Sequence, residues 1–231
     1  RMTGKLIGVG VGPGDPELMT IKAVRMIREN EVIAVPGEAA KESVAYQIAV
    51  QAAPELAEKE LVAVPMPMTK EPEALAASHD RAADQVEAYL KDGKNVVFLT
   101  LGDPTVYSTF MYVHKRIKER GYKTQIISGI PSFCAAAACA DMALTEAKEE
   151  LHVIPAVYNI DHDLNYSGTR VLMKSGKKMG RVKERLMQEN CDVFMVENCG
   201  MESQRVFHSA QEIPEDAGYY SLIIVKEKKE K

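Results

Sequence analysis

The feature that most constrains the fold is the stretch Val96–Thr109, where a short apolar run leads directly into a tight turn. The run Val96–Leu99 is continuous and bounded by turn residues, which is typical of a strand buried on both faces. The turn Gly102-Asp103-Pro104 supplies a good N-cap residue and then a proline, which suits the first position of a helix. We therefore expect a buried strand, a sharp loop and a helix at the edge of an open α/β sheet where ligands bind.

A second copy of this pattern lies near the start of the chain. Lys5–Gly12 reads as a strand, and a second Gly-Asp-Pro triad, Gly14-Asp15-Pro16, follows it. Asp15 is expected to cap a helix that begins at Pro16, with Leu18, Ile21 and Ile27 on its apolar stripe. Because parallel strands end at the same edge of a sheet, the two loops are expected to line one cleft.

Strands and helices alternate through the first half of the chain. The further strands expected there are Glu31–Pro36, Leu61–Pro65 and Thr124–Ser128, and the further helices are Lys41–Ala53 and Ser78–Lys91. This alternation predicts a mostly parallel sheet with helices on both faces.

The second half has longer, more polar connections. A helix, Phe133–Ala140, follows the turn at residues 129–132, and only Lys177–Glu189 is a clear helix after it. The strands expected in this half are Leu151–Ala156, Thr169–Lys174, Asp192–Glu197 and Tyr219–Lys226. We therefore expect two α/β domains, residues 1–127 with a mostly parallel sheet and residues 128–231 with a mixed sheet.

Charge and composition limit the partners. The net charge of −4 gives no overall basic field for nucleic acid or an anionic membrane, and no apolar run is long enough to span a bilayer. The four cysteines form neither a CxxC pair nor a zinc-site spacing with histidine, so we expect no protein-bound metal and a reducing, cytoplasmic setting. The lysine-rich segment Lys226–Lys231 is expected to be solvated.

Glycine-rich turns before helices suggest a phosphate site, but two details argue against one. The sequence has neither the Gly-Lys-Ser/Thr of a P-loop nor the glycine spacing of a dinucleotide fingerprint. Asp15 and Asp103 also place carboxylates where a phosphate would lie, which favours a ligand with positive charge. S-adenosylmethionine has an ammonium, a sulfonium and ribose hydroxyls without a phosphate. The alternative is that each aspartate only caps its helix.

Four motifs, in this order along the chain, resemble those of the tetrapyrrole (corrin/porphyrin) methylase family. They are Gly12-Pro13-Gly14-Asp15, Leu101-Gly102-Asp103-Pro104, Gly129-Ile130-Pro131-Ser132 and Met173-Lys174. The longer strings GVGVGPGDPELMTIKAVRMI and LGDPTVYST are most similar to members that methylate C20 of precorrin-2 or cobalt-factor II in cobalamin synthesis. The resemblance implies S-adenosylmethionine as methyl donor, a ligand cleft between the two α/β domains, an anionic tetrapyrrole substrate and a homodimer. The alternatives are a methylase acting on another corrin carbon, on uroporphyrinogen III or on a ribosomal RNA ribose, or a non-catalytic cofactor-binding module.

The resemblance also implies the site residues. The cofactor contacts carried over from the family are Pro13, Leu101, Gly102, Asp103, Val106, Pro131, Ser132 and Met173. Where the family often has Glu-Asn-Gly, this chain has Glu197-Asn198-Cys199-Gly200, which leaves open whether Cys199 or Gly200 contacts the ligand.

Two further roles remain open. If removal of the C20 proton needs a base, Asp103 and Tyr107 are nearest by motif, although Tyr107 would serve equally well as a packing residue. The substrate's carboxylates would suit a basic segment that either binds them or is simply a solvated helix start. Its members are Lys174, Lys177, Lys178 and Arg181.

Overall fold

The structure is a computed structural model that describes residues 2–155 and 157–229. The chain divides into two compact units, one ending at Pro131 and the other beginning at Ser132. The division suggested by the sequence, after residue 127, lies at the end of the last strand of the first unit.

The first unit is a parallel α/β sheet with alternating strands and helices. Its strands are β1 (Lys5–Gly10), β2 (Val32–Pro36), β3 (Glu60–Val64), β4 (Val96–Thr100) and β5 (Lys123–Ile127). Its helices are α1 (Ile21–Glu29), α2 (Val44–Ala52), α3 (Pro72–Lys91) and α4 (Phe110–Glu119). The strand order is β3-β2-β4-β1-β5, and every pairing is parallel. The parallel sheet expected from the sequence is confirmed.

Helices cover both faces of this sheet. Successive residues of β4 point to opposite sides, so the strand packs against the helices on each face. Val97 and Leu99 pack into a cluster that includes residues of α1 and α2. Val96 and Phe98 pack into a second cluster with residues of α3 and α4. All five residues of β4 are buried, as a doubly covered strand requires.

Two helix starts differ from the expectation. Asp15 caps only a short 3-10 turn, Pro16–Leu18, and α1 begins afterwards with Thr20 as its N-cap. Of the predicted apolar stripe, Ile27 is buried as expected, but Ile21 is 89% exposed and Ala23 is buried in its place. The residues after Pro104 form turns, so that α4 starts at Phe110 and Asp103 does not cap it.

The second unit has a mixed sheet, as expected. Its strands are β6 (Leu151–Ile154), β7 (Thr169–Met173), β8 (Cys191–Glu197), β9 (Arg205–Phe207) and β10 (Ser221–Glu227). Its helices are α5 (Ser132–Cys139), α6 (Ile160–Asp163) and α7 (Met179–Gln188). The order is β6-β7-β10-β8-β9, with β6 and β7 parallel and the other pairs antiparallel. The strand expected to reach Ala156 ends at Ile154, and Ala156 itself lies outside the described residues.

This sheet also packs on both faces. Met179, Val182 and Leu186 of α7 belong to the cluster on one face, and Ala136 and Ala137 of α5 belong to the cluster on the other. Within residues 2–155 and 157–229, no helix combines the length and the apolar character needed to cross a membrane.

The expectation of a solvated tail from Lys226 is wrong at its first residue. Lys226 lies in β10, and its Nζ donates to the carbonyl of Leu144 at 3.0 Å and pairs with Glu149 Oε2 at 3.0 Å. Residues 230 and 231 of the expected tail lie outside the described residues.

Candidate functional site

Two loops meet at the carboxyl edge of the first sheet. The Gly102 N–H donates to the carbonyl of Gly12 at 2.8 Å, and the Gly12 N–H donates to the carbonyl of Gly102 at 3.3 Å. The two Gly-Asp-Pro loops therefore lie side by side and bind each other through their backbones. This confirms the prediction that they share one edge of the sheet.

A third loop, after β5, packs closely against the two Gly-Asp-Pro loops. A Cβ atom on Gly129 would lie 2.2 Å from the Gly102 carbonyl oxygen, and one on Gly10 would lie 2.5 Å from the same oxygen. Because this oxygen belongs to the backbone and cannot move aside as a side chain could, only glycine allows the ends of β1, β4 and β5 to approach this closely. Gly102 itself has φ +68°, and a Cβ there would meet nothing closer than Ile130 O and Pro131 Cα at 3.9 Å.

Asp103 ties these loops together. Its Oδ2 accepts from the Gly129 N–H at 2.9 Å, and its Oδ1 accepts from the Thr105 N–H at 2.8 Å and from the Thr105 hydroxyl. Burial acts to raise the pKa of Asp103, but these hydrogen bonds to the ionised carboxylate outweigh it and hold the pKa below its usual range. A carboxylate with a lowered pKa and occupied oxygens is a weak proton acceptor, so the geometry favours a positioning role over that of a base.

Tyr107 lies just beyond this turn and is not a core residue. Its side chain is 50% exposed, and its backbone has φ +50°. A left-handed backbone is uncommon for a bulky residue and is typical of strained positions at functional sites. No local sequence pattern predicts this conformation at Tyr107.

The structure brings together most of the expected contact residues of the first unit. Pro13 follows Gly12, which pairs with Gly102, and the gap beside Gly102 is bounded by Pro131. The Val106 N–H donates to the Asp103 carbonyl at 3.2 Å, which places Val106 on the same turn. Pro13 is buried, whereas Leu101, Val106 and Pro131 are partly exposed.

The expected contact residues of the second unit lie around one apolar cluster. Met173 ends β7, and both Met173 and Cys199 pack against a cluster that includes Ala136 and Ala137 of α5, the helix that Ser132 begins. Gly200 has φ +79°, and its N–H donates to Gln204 Oε1 at 2.8 Å.

Glu197, at the end of β8, binds two neighbouring segments of the chain through its carboxylate. Its carboxylate is buried and accepts two hydrogen bonds from Arg205 Nη2, at 2.9 and 3.0 Å, and one from the Gly218 N–H at 3.1 Å. The next residue, Asn198, has φ +52° and donates its N–H to the Tyr220 carbonyl at 3.1 Å. These contacts fix the turn that carries Cys199 and Gly200, and sequence reasoning did not find them.

The chemistry of the first unit's edge fits S-adenosylmethionine. Residues 10–16, 100–108 and 128–132 contain two carboxylates and neither lysine nor arginine, so the loops lack the cation that a phosphate site uses. They offer closely packed backbone groups and an ionised Asp103, which suit a ligand with an ammonium and a sulfonium. In the part of the chain that the structure describes, no group of three or more His, Cys, Asp or Glu side chains is placed to hold a metal.

Comparison with known proteins identifies the family. The family model for Tetrapyrrole (Corrin/Porphyrin) Methylases matches residues 5–214. A probable cobalt-precorrin-2 C(20)-methyltransferase from Methanocaldococcus jannaschii is 33% identical, over 98% of this chain and 97% of the relative. A precorrin-2 C(20)-methyltransferase from a Sinorhizobium species is 28% identical, over 96% of this chain and 95% of the relative.

A solved structure supports the fold. It is the uroporphyrin-III C-methyltransferase of Thermus thermophilus in complex with S-adenosylhomocysteine. Its TM-score is 0.69 at 22% identity, with 97% of this chain and 98% of that chain covered. Family model, relatives and fold agree, and the chain belongs to the tetrapyrrole (corrin/porphyrin) methylase family.

Proposed function

We propose that this protein transfers a methyl group from S-adenosylmethionine to C20 of precorrin-2 or cobalt-factor II in cobalamin biosynthesis. The observation that carries the proposal is the 33% identity to a C(20)-methyltransferase across nearly the whole of both chains. One relative is named for a cobalt-containing substrate and the other for precorrin-2 itself, so the proposal covers both.

We assign the cofactor contacts to residues of each unit. In the first unit they are Pro13, Leu101, Gly102, Asp103, Val106 and Pro131, and in the second they are Ser132, Met173 and either Cys199 or Gly200. When bound, S-adenosylmethionine supplies an electrophilic methyl group on a sulfonium. The joined loops bind this cofactor through backbone groups that Asp103 holds in place, and Gly102, which lacks a side chain, leaves room for it beside Pro131. Rigid placement of the reactants supplies several kcal/mol of the barrier in such transfers.

The proton on C20 must leave once the new bond has formed. The ionised carboxylate of Asp103 already accepts from Gly129 and Thr105, so we assign it to positioning the loops. Tyr107, half-exposed on the following turn, is the side chain we assign to relay that proton to solvent: its hydroxyl would accept the C20 proton while it gives its own proton to water. The proposal also includes a homodimer and a cytoplasmic location.

Three measurements test the proposal. Calorimetry should show that the protein binds S-adenosylmethionine more tightly than ATP or NAD, and equal binding of the three would contradict the cofactor assignment. Anaerobic incubation with precorrin-2 and, separately, with cobalt-factor II should add one methyl group, located at C20 by NMR. A methyl group on another carbon, or turnover of uroporphyrinogen III alone, would refute the position and favour a different tetrapyrrole methylase. Light scattering tests the homodimer.

A further inference from the structure

A row of lysine and tyrosine side chains follows one edge of the second sheet. We call it the lysine–tyrosine edge and define it as Tyr158, Lys174, Lys178, Tyr219 and Tyr220. Tyr158 follows the end of β6, the two lysines follow the end of β7, and the two tyrosines precede β10.

The strand pairing places these segments side by side. The last residue of β6, Ile154, pairs with Leu172, near the end of β7. Met173, the last residue of β7, pairs with Leu222, near the start of β10. Three neighbouring strands therefore present these five side chains at the same edge.

The two lysines lie against aromatic rings. Lys174 Nζ lies 5.5 Å from the ring centroid of Tyr219, and Lys178 Nζ lies 4.9 Å from that of Tyr158. Tyr219 also contacts Tyr220 edge to face, with 5.3 Å between ring centroids. A cation–π contact holds an ammonium in place while leaving its charge and its N–H donors available to an anion.

These ammonium groups are not neutralised by acidic side chains. Among residues 2–155 and 157–229, no carboxylate lies within salt-bridge distance of Lys174, Lys177 or Lys178. Arg181, by contrast, pairs with Asp161 at 3.5 Å. The basic segment expected from the sequence is thus divided, and Arg181 is the member that is already partnered.

The start of α7 adds to the positive character of this edge. Neither the short 3-10 turn that begins after Ser175 nor α7 itself has a side-chain cap on its N-terminal N–H groups. Lysines near a helix N-terminus oppose the helix dipole, whereas an anion there is stabilised. Within the described residues the Ser175 hydroxyl is also buried and without a hydrogen-bond partner.

We propose that the lysine–tyrosine edge binds the carboxylates of the anionic tetrapyrrole, with Lys174 and Lys178 as the charged donors and Tyr219 and Tyr158 holding them in place. This inference rests on the proposed function and names the groups that recognise its substrate. The cations are spaced along the edge, which suits a macrocycle carrying several acids around its rim. The exposed tyrosine faces, including Tyr158 at 84% exposure, suit contact with a flat conjugated ring.

The test separates substrate binding from methyl transfer. We expect Lys174→Gln and Lys178→Gln each to raise the KM for cobalt-factor II about tenfold, since a charged hydrogen bond is lost. The kcat at saturating substrate and the Kd for S-adenosylmethionine should stay unchanged, and arginine at either position should restore most of the affinity. Lys148→Gln is the matched control, because Lys148 is exposed and precedes β6, at the opposite end of the strand from Tyr158.

A binding titration with uroporphyrin, an octacarboxylate porphyrin, supplies a readout that needs no turnover. If the wild type binds uroporphyrin through Lys174 and Lys178 but methylates neither substrate, the proposed function fails and this inference stands. If the wild type is active and both glutamine variants keep its KM and its porphyrin affinity, this inference is overturned and the proposed function stands. An equal loss of affinity in Lys148→Gln would also overturn it, because the effect would then reflect net charge alone.

Discussion

Replacing Gly102 by alanine should separate the strain of a left-handed backbone from the loss of ligand space. Gly102 has φ +68°, and the added Cβ would meet protein atoms only at 3.9 Å, so there is no clash within the fold. The cost is conformational, about 1–2 kcal/mol for an L-residue in the left-handed region. A less flexible unfolded chain offsets roughly 0.4–1 kcal/mol of it. We expect a net loss near 1 kcal/mol, or about 2–4 °C in Tm for a chain of this size.

The effect on the ligand should be larger than the effect on stability. The new methyl group would point toward Ile130 and Pro131, into the gap between the second and third loops. Heavy atoms in contact need about 3.5–4.0 Å of separation, so the new methyl group would displace a ligand atom packed against Gly102 on its open side. We expect Gly102→Ala to weaken S-adenosylmethionine binding by at least about tenfold, equivalent to about 1.4 kcal/mol.

Gly121→Ala is the matched control. Gly121 has φ +89° with no atom within 4 Å of an added Cβ, and it lies between α4 and the start of β5, away from the carboxyl edge. Circular-dichroism melting should show similar losses of stability in the two variants, and calorimetry should show weakened cofactor binding only in Gly102→Ala. Equal affinity in the two variants would refute the placement of the cofactor at this loop.

Three further predictions concern groups whose charge or pairing the structure defines. Asp103→Asn should lower Tm at pH 7 and flatten its dependence on pH. Because the pKa of Asp103 is lowered in the folded protein, the carboxylate stabilises the fold fully above the ordinary aspartate pKa, near 4. This stabilisation is lost as pH falls through the folded pKa. If the Tm of the variant falls in acid as steeply as that of the wild type, the reasoning is refuted. Burial, helped by the Arg116 guanidinium, lowers the pKa of His79, so stability should fall as pH drops below about 6.5. His79→Phe should reduce that fall between pH 7 and 5 in melting curves, and an unaltered slope would exclude His79 as its source. Glu197→Ala should cost about 1–2 kcal/mol in urea unfolding, because it leaves the Gly218 N–H and half-exposed Arg205 without their acceptor; a loss below about 0.5 kcal/mol would show that the pairing contributes little.

The sequence was sufficient where the signal was local and apolar. Val96–Leu99 predicted a strand buried on both faces, and glycines after two such strands predicted that two loops share one edge. The hydrogen bonds that Gly12 and Gly102 exchange confirm that prediction. The sequence predicted less well which residues of a helix face the core, because that depends on where the helix starts. Thr20 rather than Asp15 caps α1, which leaves Ile21 exposed.

The rest depends on contacts between distant residues. The bond from Gly129 to Asp103 joins residues far apart in sequence, and it decides how the carboxylate is used. The left-handed backbones at Tyr107 and Lys174 occur in residue types that rarely adopt this conformation, so the sequence does not predict them. The pairing of Lys174 with Tyr219 likewise requires the register of β7 against β10, which no local pattern provides.

The order of strands in the second sheet has a consequence for synthesis. β10 is the last strand in the described chain, yet it lies at the centre, between β7 and β8. All five strands of the first sheet come from residues 5–127, so that sheet has its complete set early in translation. The second sheet must wait for residues 221–227, and until they emerge β7 and β8 each present an unpaired apolar edge. Slowed translation near this point should therefore favour aggregation of the nascent second unit and leave the first unit able to fold.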